Sequence, residues 1–267
     1  MTRTPRQLST PAFGPNFYRR ILGVRFFVGR APHAVKAGVR GGLVVAPAAP
    51  ALLDLATDPE YRKALLECDL AITDSGFLVL LWNMLTWDRI HRVSGLEYLK
   101  MLLRRPEFRQ RGSVVWVMPT AASRERTLAW LRTQGYPVEL DDFYLAPMYP
   151  EGTIEDQALA DMVNRRQPDH VIVGIGGGAQ ERLGLCLKQR CAYRPAIHCI
   201  GAAIGFLTGD QVSIPDWADR WVLGWLFRCV SNPRRFVPRY VKAFKLALVL
   251  WRHGSRMPEL QESLIRN

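Results

Sequence analysis

No stretch of this 267-residue chain is apolar for long enough to cross a bilayer. The longest apolar runs, such as FLVLLW at 77–82, fall far short of the ~20 residues that a spanning helix needs. Paired cysteines are also missing. Cys68, Cys186, Cys191, Cys199 and Cys229 form no CxxC pair and no cluster with histidine. That excludes a zinc-finger type of site and a disulfide framework, and an odd count of scattered thiols fits a reducing compartment. The basic segment MTRTPRQLSTPAFGPNFYRR carries no apolar core of a secretion signal, so a cytoplasmic protein is expected. Internal repeats and low-complexity linkers are absent. Acid is missing from both ends: residues 1–53 hold eight Lys/Arg and no Asp or Glu, and residues 220–257 hold nine Lys/Arg and again no acid.

What is present describes a globular protein, with 48% hydrophobic and 22% charged residues. The net charge of +12 lies mostly in the two acid-free ends. A basic excess so placed implies an anionic partner: nucleic acid, anionic lipid, or phosphate groups on a substrate.

Strand and helix patterns alternate through the middle of the chain. ILGVRFFVG (21–29), GGLVVAP (41–47), DLAIT (69–73), SVVWVMP (113–119), HVIVGIG (170–176) and AIHCIG (196–201) read as strands. Helices are expected over 50–67, 76–85, 94–105 with Ser94 as its cap, 121–135, 154–168 and 179–190. Nearly all-apolar strands alternating with helices imply a parallel sheet covered on both faces. Near residue 215 the strands stop, and Trp, Arg and Pro crowd together. The expected architecture is α/β, with a Rossmann-like parallel-sheet core over 1–214 and a basic, amphipathic appendage over 215–267.

Three local features carry chemistry. The first is VIVGIGGGAQER (171–182), where a strand runs into glycines and a helix follows. Gly174, Gly176 and Ala179 fit the GxGxxA form of the dinucleotide fingerprint, and Gly177 and Gly178 lie inside the turn. Such glycines let backbone approach a phosphate at a helix N-terminus. The acid that would hold a ribose is missing, since no Asp or Glu occurs between Glu181 and Asp210. A nucleotide or sugar phosphate therefore fits better than NAD, and no cofactor is expected. Gln180 and Glu181 fall in the first helical turn.

The second feature is Asp74, placed where one buried strand ends and a buried helix begins. It reads either as a turn residue and helix cap or as a functional carboxylate at the carboxyl edge of a sheet. The third is the C-terminal segment. Arg228, Arg234, Arg235 and Arg239 sit among Trp225, Phe227, Phe236 and Tyr240, and guanidinium forks suit phosphate. Further on, Arg239, Lys242, Lys245 and Arg252 fall within an arc of about 140° on a helix that is otherwise apolar. With Trp251 beside Arg252, this describes a helix lying in a membrane interface.

Taken in order, DSG after a strand, RVSGLEYL, VGIGGGAQE, IGAAIGFLTGD, PDWA and LGWLFRCVSNPRRFVPRY resemble the WecG/TagA/CpsF glycosyltransferases, which have the GT-E fold. The likeness covers roughly residues 20–240. It implies a membrane-docking appendage and transfer of a sugar from a nucleotide donor to a polyprenyl-diphosphate-linked saccharide. It further implies inversion at the anomeric centre, no metal, and a peripheral position on the cytoplasmic face of the inner membrane; it leaves room for an oligomer. Asp74 matches the family's general base, Arg92 its R-x-x-G arginine, and Gln180–Glu181 its Gln-Glu pair. Arg228 and Arg235 match its appendage arginines, with Arg239 near a third.

The sequence departs from the family pattern at four places. Ala46 and Ala48 stand where a Thr-x-Asn is usual, Gly205 where an acid is usual, and Ala179 where a proline is usual. These losses point toward a plain hexose rather than an N-acetylated sugar, as in the GumM-like mannosyltransferase branch that builds exopolysaccharide. Two other readings compete. A basic nucleic-acid-binding protein would explain the charge, but none of the usual nucleic-acid-binding motifs is found; the expected partners exclude nucleic acid. A Rossmann oxidoreductase lacks its ribose acid.

Overall fold

The computed structural model describes residues 13–210 and 244–261. At one edge of the sheet, β1 (Tyr18–Ile21) and β2 (Val24–Phe27) form an antiparallel hairpin. β3 (Gly42–Val45), β4 (Leu70–Ile72), β5 (Val114–Met118), β6 (Phe143–Leu145), β7 (His170–Val173) and β8 (Ala196–Cys199) extend it. The order is β1-β2-β4-β3-β8-β7-β5-β6, and every pairing after the hairpin is parallel. The expected α/β parallel sheet is therefore present.

The helices are α1 (Ala31–Gly38), α2 (Pro59–Glu67), α3 (Gly76–Thr86), α4 (Gly95–Leu103), α5 (Ala121–Thr133), α6 (Gln157–Arg166), α7 (Ala179–Arg190) and the short α8 (Gly205–Thr208). A last helix, α9, covers 244–253 of the described residues. They divide between the two faces. Leu65, Leu78, Trp82, Leu159, Leu183, Leu246 and Leu250 belong to one core, whereas Val35, Tyr98, Leu102 and Leu131 belong to the other. Strands β3, β4, β5, β7 and β8 are buried along their whole length. This is why they read as nearly continuous apolar runs rather than alternating ones.

Three local readings change. The strand expected over 21–29 is broken by a two-residue turn in which Leu22 and Gly23 have φ of 47° and 79°, the positive-φ geometry of a tight hairpin. The helix expected over 50–67 splits into a 3-10 stretch, Ala49–Ala56, and α2. Asp58 accepts a hydrogen bond from the Tyr61 N–H at 2.8 Å, and Pro59 opens α2, so an N-cap and a proline start a new helix there. Helix α1, between two glycine-flanked segments, had no counterpart in the sequence reading.

The C-terminal segment closes on this edge of the sheet. The Leu22 and Gly23 N–H groups donate to the Gly254 and Ser255 carbonyls at 2.9 and 3.0 Å. Arg62 donates to the Pro258 carbonyl at 2.8 Å, and Gln261 N–H donates to the Ala56 carbonyl at 2.8 Å. Leu246 and Leu250 are buried beneath α9. The boundary expected near 215, and Arg228, Arg235, Arg239 and Lys242, lie outside the described residues; Lys245, Trp251 and Arg252 are on α9 and exposed. No helix among the described residues is long and apolar enough to cross a membrane.

One polar thread crosses the second core. The Tyr98 hydroxyl lies 3.0 Å from His198 Nδ1, and His198 Nε2 lies 3.1 Å from His170 Nδ1. All three side chains are buried. Burial pushes His170 down to about 4 and His198 well below the usual imidazole range.

Candidate active site

At the carboxyl ends of the parallel strands, β5 leads outward to β6 while β7 leads the other way to β8. Connections that diverge like this open a crevice, where ligands bind in sheets of this type. The glycine-rich loop leaves β7 at that point. A Cβ on Gly174 would lie 3.3 Å from the Val117 carbonyl oxygen, so this glycine lets the loop pass close over β5. Gly176 and Gly177 are exposed, and a Cβ on either would meet nothing within 4 Å. Their small size serves no packing need; it leaves open space above the backbone. Gly178 has a φ of 88° and stands at the N-cap of α7, where a side chain would be strained.

Gln180 and Glu181 hold the loop from beneath. Glu181 accepts from the Gly178 N–H at 2.7 Å and from Gln180 Nε2 at 2.9 Å. Gln180 Oε1 accepts from the Gly201 N–H at 2.7 Å, tying the loop to the end of β8. Both side chains are buried, and burial raises the Glu181 carboxyl against the opposing pull of its hydrogen-bond donors. Their polar atoms are turned to the protein itself.

Asp74 follows β4 along the same edge. Its Oδ1 accepts from the Gly95 N–H, the first of α4, at 2.8 Å. The Arg92 Nε donates to the Asp74 carbonyl at 2.7 Å, and Thr73 Oγ1 donates to the His91 carbonyl at 2.7 Å. The segment before α4 is thus laid against the end of β4. Helix α3 is capped instead by Ser75, whose side chain accepts from the Leu78 N–H at 3.2 Å. Ser94, expected to cap α4, makes no such bond. Asp74 caps a helix, but the one 21 residues on, across the chain.

Asp74 and the glycine-rich loop are linked through β8. A Cβ at Gly95 would lie 3.7 Å from the Asp74 carboxyl carbon and 3.5 Å from the Ile200 carbonyl, and Gly201 is the Gln180 partner. Ala46, at the end of β3, lies in the same row and is buried. So the structure gathers Asp74, Arg92 and the loop with Gln180 and Glu181 on one edge. The sequence reading missed Ser75 as the α3 cap and the Tyr144–Asp156–Tyr149 cluster, in which both hydroxyls donate to one buried carboxylate at 2.9 and 2.6 Å. That cluster braces the loop after β6 at the same end of the sheet.

A profile of the Glycosyl transferase WecG/TagA/CpsF family matches residues 20–259. The chain belongs to this family. It is similar to an N-acetylglucosaminyldiphosphoundecaprenol N-acetyl-beta-D-mannosaminyltransferase of Bacillus spizizenii, with 23% identity over 199 residues, 70% of this chain and 72% of that protein. It is also similar to a protein of the same name from Bacillus subtilis, with 28% identity over 99 residues, 34% of this chain and 38% of that protein. The resemblance drawn from the motifs is thus borne out at the level of the family, and the activity class is glycosyl transfer. Neither a nucleic-acid binder nor an oxidoreductase is indicated.

Proposed function

We propose that the chain transfers a hexose of the mannose type, with inversion and without a metal, from a nucleotide sugar to a polyprenyl-diphosphate-linked saccharide. The work would be done at an anionic membrane surface, on the cytoplasmic face of the inner membrane, in the synthesis of surface or exopolysaccharide. The observation that carries this reading is the Asp74 carboxylate, fixed by the Gly95 N–H on the same sheet edge as a glycine-rich loop with open space above it.

In this mechanism the acceptor hydroxyl gives its proton to Asp74 as its oxygen attacks the anomeric carbon. The bond from that carbon to the diphosphate breaks on the opposite face, and the nucleoside diphosphate leaves with the electron pair. The exposed glycines would lie against the donor phosphates, with the N-terminus of α7 behind them. Arg92, Arg228, Arg235 and Arg239 supply positive charge for the departing diphosphate. Gln180 and Glu181 set the shape of the loop from below. The alanines at 46 and 48 and Gly205 leave out polar groups, which favours a plain hexose over an N-acetylated one.

The test is release of nucleoside diphosphate by the purified protein, with GDP- and UDP-linked hexoses and N-acetylhexosamines, each with and without lipid-diphosphate saccharide acceptors. Acceptor-dependent release from a hexose donor, lost in Asp74→Asn, supports the reading. Release from an N-acetylmannosamine donor instead would place the chain with the named activity of its two relatives. Release that survives Asp74→Asn would leave Asp74 as a helix cap alone.

A further inference from the structure

Helix α3, GFLVLLWNMLT, contains no charged residue. Its inner side is accounted for, since Leu78, Val79 and Trp82 are buried in the core. Its outer side is not: Leu80, Met84 and Leu85 are exposed, Met84 by 67%, and Trp87 just beyond is 91% exposed. A helix apolar on all sides normally has something on every side.

Helix α9 has the same character. Leu246 and Leu250 face the core, whereas Phe244, Leu248 and Trp251 are exposed, Trp251 by 74%. The outward residues recur at helical spacing, 80 and 84 in one helix and 244, 248 and 251 in the other, with Trp87 at the end of α3. That spacing draws one stripe along a helix.

The two helices lie start to start. Phe77 and Phe244 meet edge to face with ring centroids 5.5 Å apart. At the other end, Asp88 pairs with Arg19, and the Gly254 carbonyl accepts from the Leu22 N–H. Arg19 and Leu22 are three residues apart at the β1 end of the hairpin. Both helices bury their inner residues in the same core, on one face of the sheet. Their exposed stripes therefore look the same way, away from the sheet.

We propose that α3 and α9 together form a two-helix surface that beds into the interface of an anionic bilayer, and that α3, not only the C-terminal segment, carries the contact. The charge around the patch selects this occupant. Lys245 and Arg252 on α9, Arg256 beyond it and Arg89 beyond α3 are exposed. From 220 to 257 there is no acid at all. Apolar stripes edged by cations match acyl chains below anionic headgroups. The consequence for the reaction is direct: Asp74 stands two residues before α3, so bedding α3 brings that carboxylate to the membrane surface. The inference rests on the proposed lipid-linked acceptor and adds the element that meets the lipid.

The experiment is co-sedimentation of the full chain with vesicles of phosphatidylcholine alone or with phosphatidylglycerol added. Wild type is compared with Leu80→Glu/Met84→Glu, with Trp251→Glu and with the conservative Met84→Leu. Melting temperature reports folding, sedimentation velocity reports oligomeric state, and turnover of a short-chain, water-soluble acceptor reports the reaction. The proposal expects wild type and Met84→Leu to bind the anionic vesicles. Both Glu variants should bind at least about tenfold more weakly, with melting and soluble-acceptor turnover unchanged. Full binding by the α3 variant beside weak binding by Trp251→Glu would overturn the role of α3 and leave the C-terminal contact standing. Conversion of a dimer to a monomer by the α3 variant, with vesicle binding intact, would assign the patch to a second copy of the chain and overturn the proposal. Failure of the wild type to bind any vesicle would overturn it as well. Soluble-acceptor turnover then shows separately whether the proposed reaction survives.

Discussion

Asp74 caps α4, and the choice of substitution separates that role from the proposed one as base. An asparagine keeps an oxygen for the Gly95 N–H but cannot take a proton; an alanine loses both. We expect Asp74→Asn to melt near wild type and to lose about a hundredfold or more in turnover. Asp74→Ala should lose as much activity and about 1 kcal/mol of stability besides, read from urea midpoints. Equal stability of the two variants would show that the cap is worth nothing. Glu181 makes the converse case. A glutamine there presents an amide N–H₂ to either the Gly178 N–H or the Gln180 amide, so one buried donor loses its acceptor. That costs about 1–3 kcal/mol, and since the group shapes the loop, KM for the donor should rise more than kcat falls. Part of this site was legible from the sequence, because glycines between a strand and a helix and a lone acid at a strand end have few uses. The partner of Asp74 was not legible. It lies 21 residues away, and Ser94, next to Gly95, offered a local cap that the structure does not use.

At the scale of elements, the hairpin turn is the sharpest test. Gly23 has positive φ, and a Cβ there would lie 2.6 Å from Met257 Cε and 3.0 Å from Met257 Cα. A flexible methyl can move aside, but a backbone atom can do so only if the tail undocks. Gly23→Ala should therefore lower stability by about 1–3 kcal/mol through strain and overpacking. An unchanged urea midpoint would mean that the tail does not rest on the turn. This hairpin also shows why the elements were only partly readable. ILGVRFFVG has the composition of one strand, and Leu22, a residue that seldom takes positive φ, hides the turn. The buried parallel strands were clear because both faces are covered and their residues are nearly all apolar, His170 and His198 being the exceptions. Helix α1 was missed because it is only eight residues long, with no side-chain cap at its start, and so offers few sequence signals.

For the molecule as a whole, the buried histidines set the acid limit. His170 is held near 4 chiefly by burial, with Arg105 adding to the effect and Asp169 and Glu107 opposing it. Unfolded, it would titrate near the ordinary value of 6.5. Below that value the unfolded chain binds the proton and the folded chain does not, so stability falls as pH drops from 6.5 toward 4. The loss is about 3 kcal/mol for this group if both limits hold, and His198 adds to it in the same direction. Urea midpoints measured across that range should fall steadily with pH, and a flat profile would show that the pair is charged or solvated in the folded state. The docking of 254–258 on the hairpin and α2 has another effect, in time. The β1–β2 turn leaves the ribosome long before its partners exist: 232 residues separate Leu22 from Gly254, roughly ten seconds or more of synthesis. Until the chain reaches that point, α3 has no α9 beside it. The face assigned to the bilayer is completed last, so a nascent chain carries only half of it.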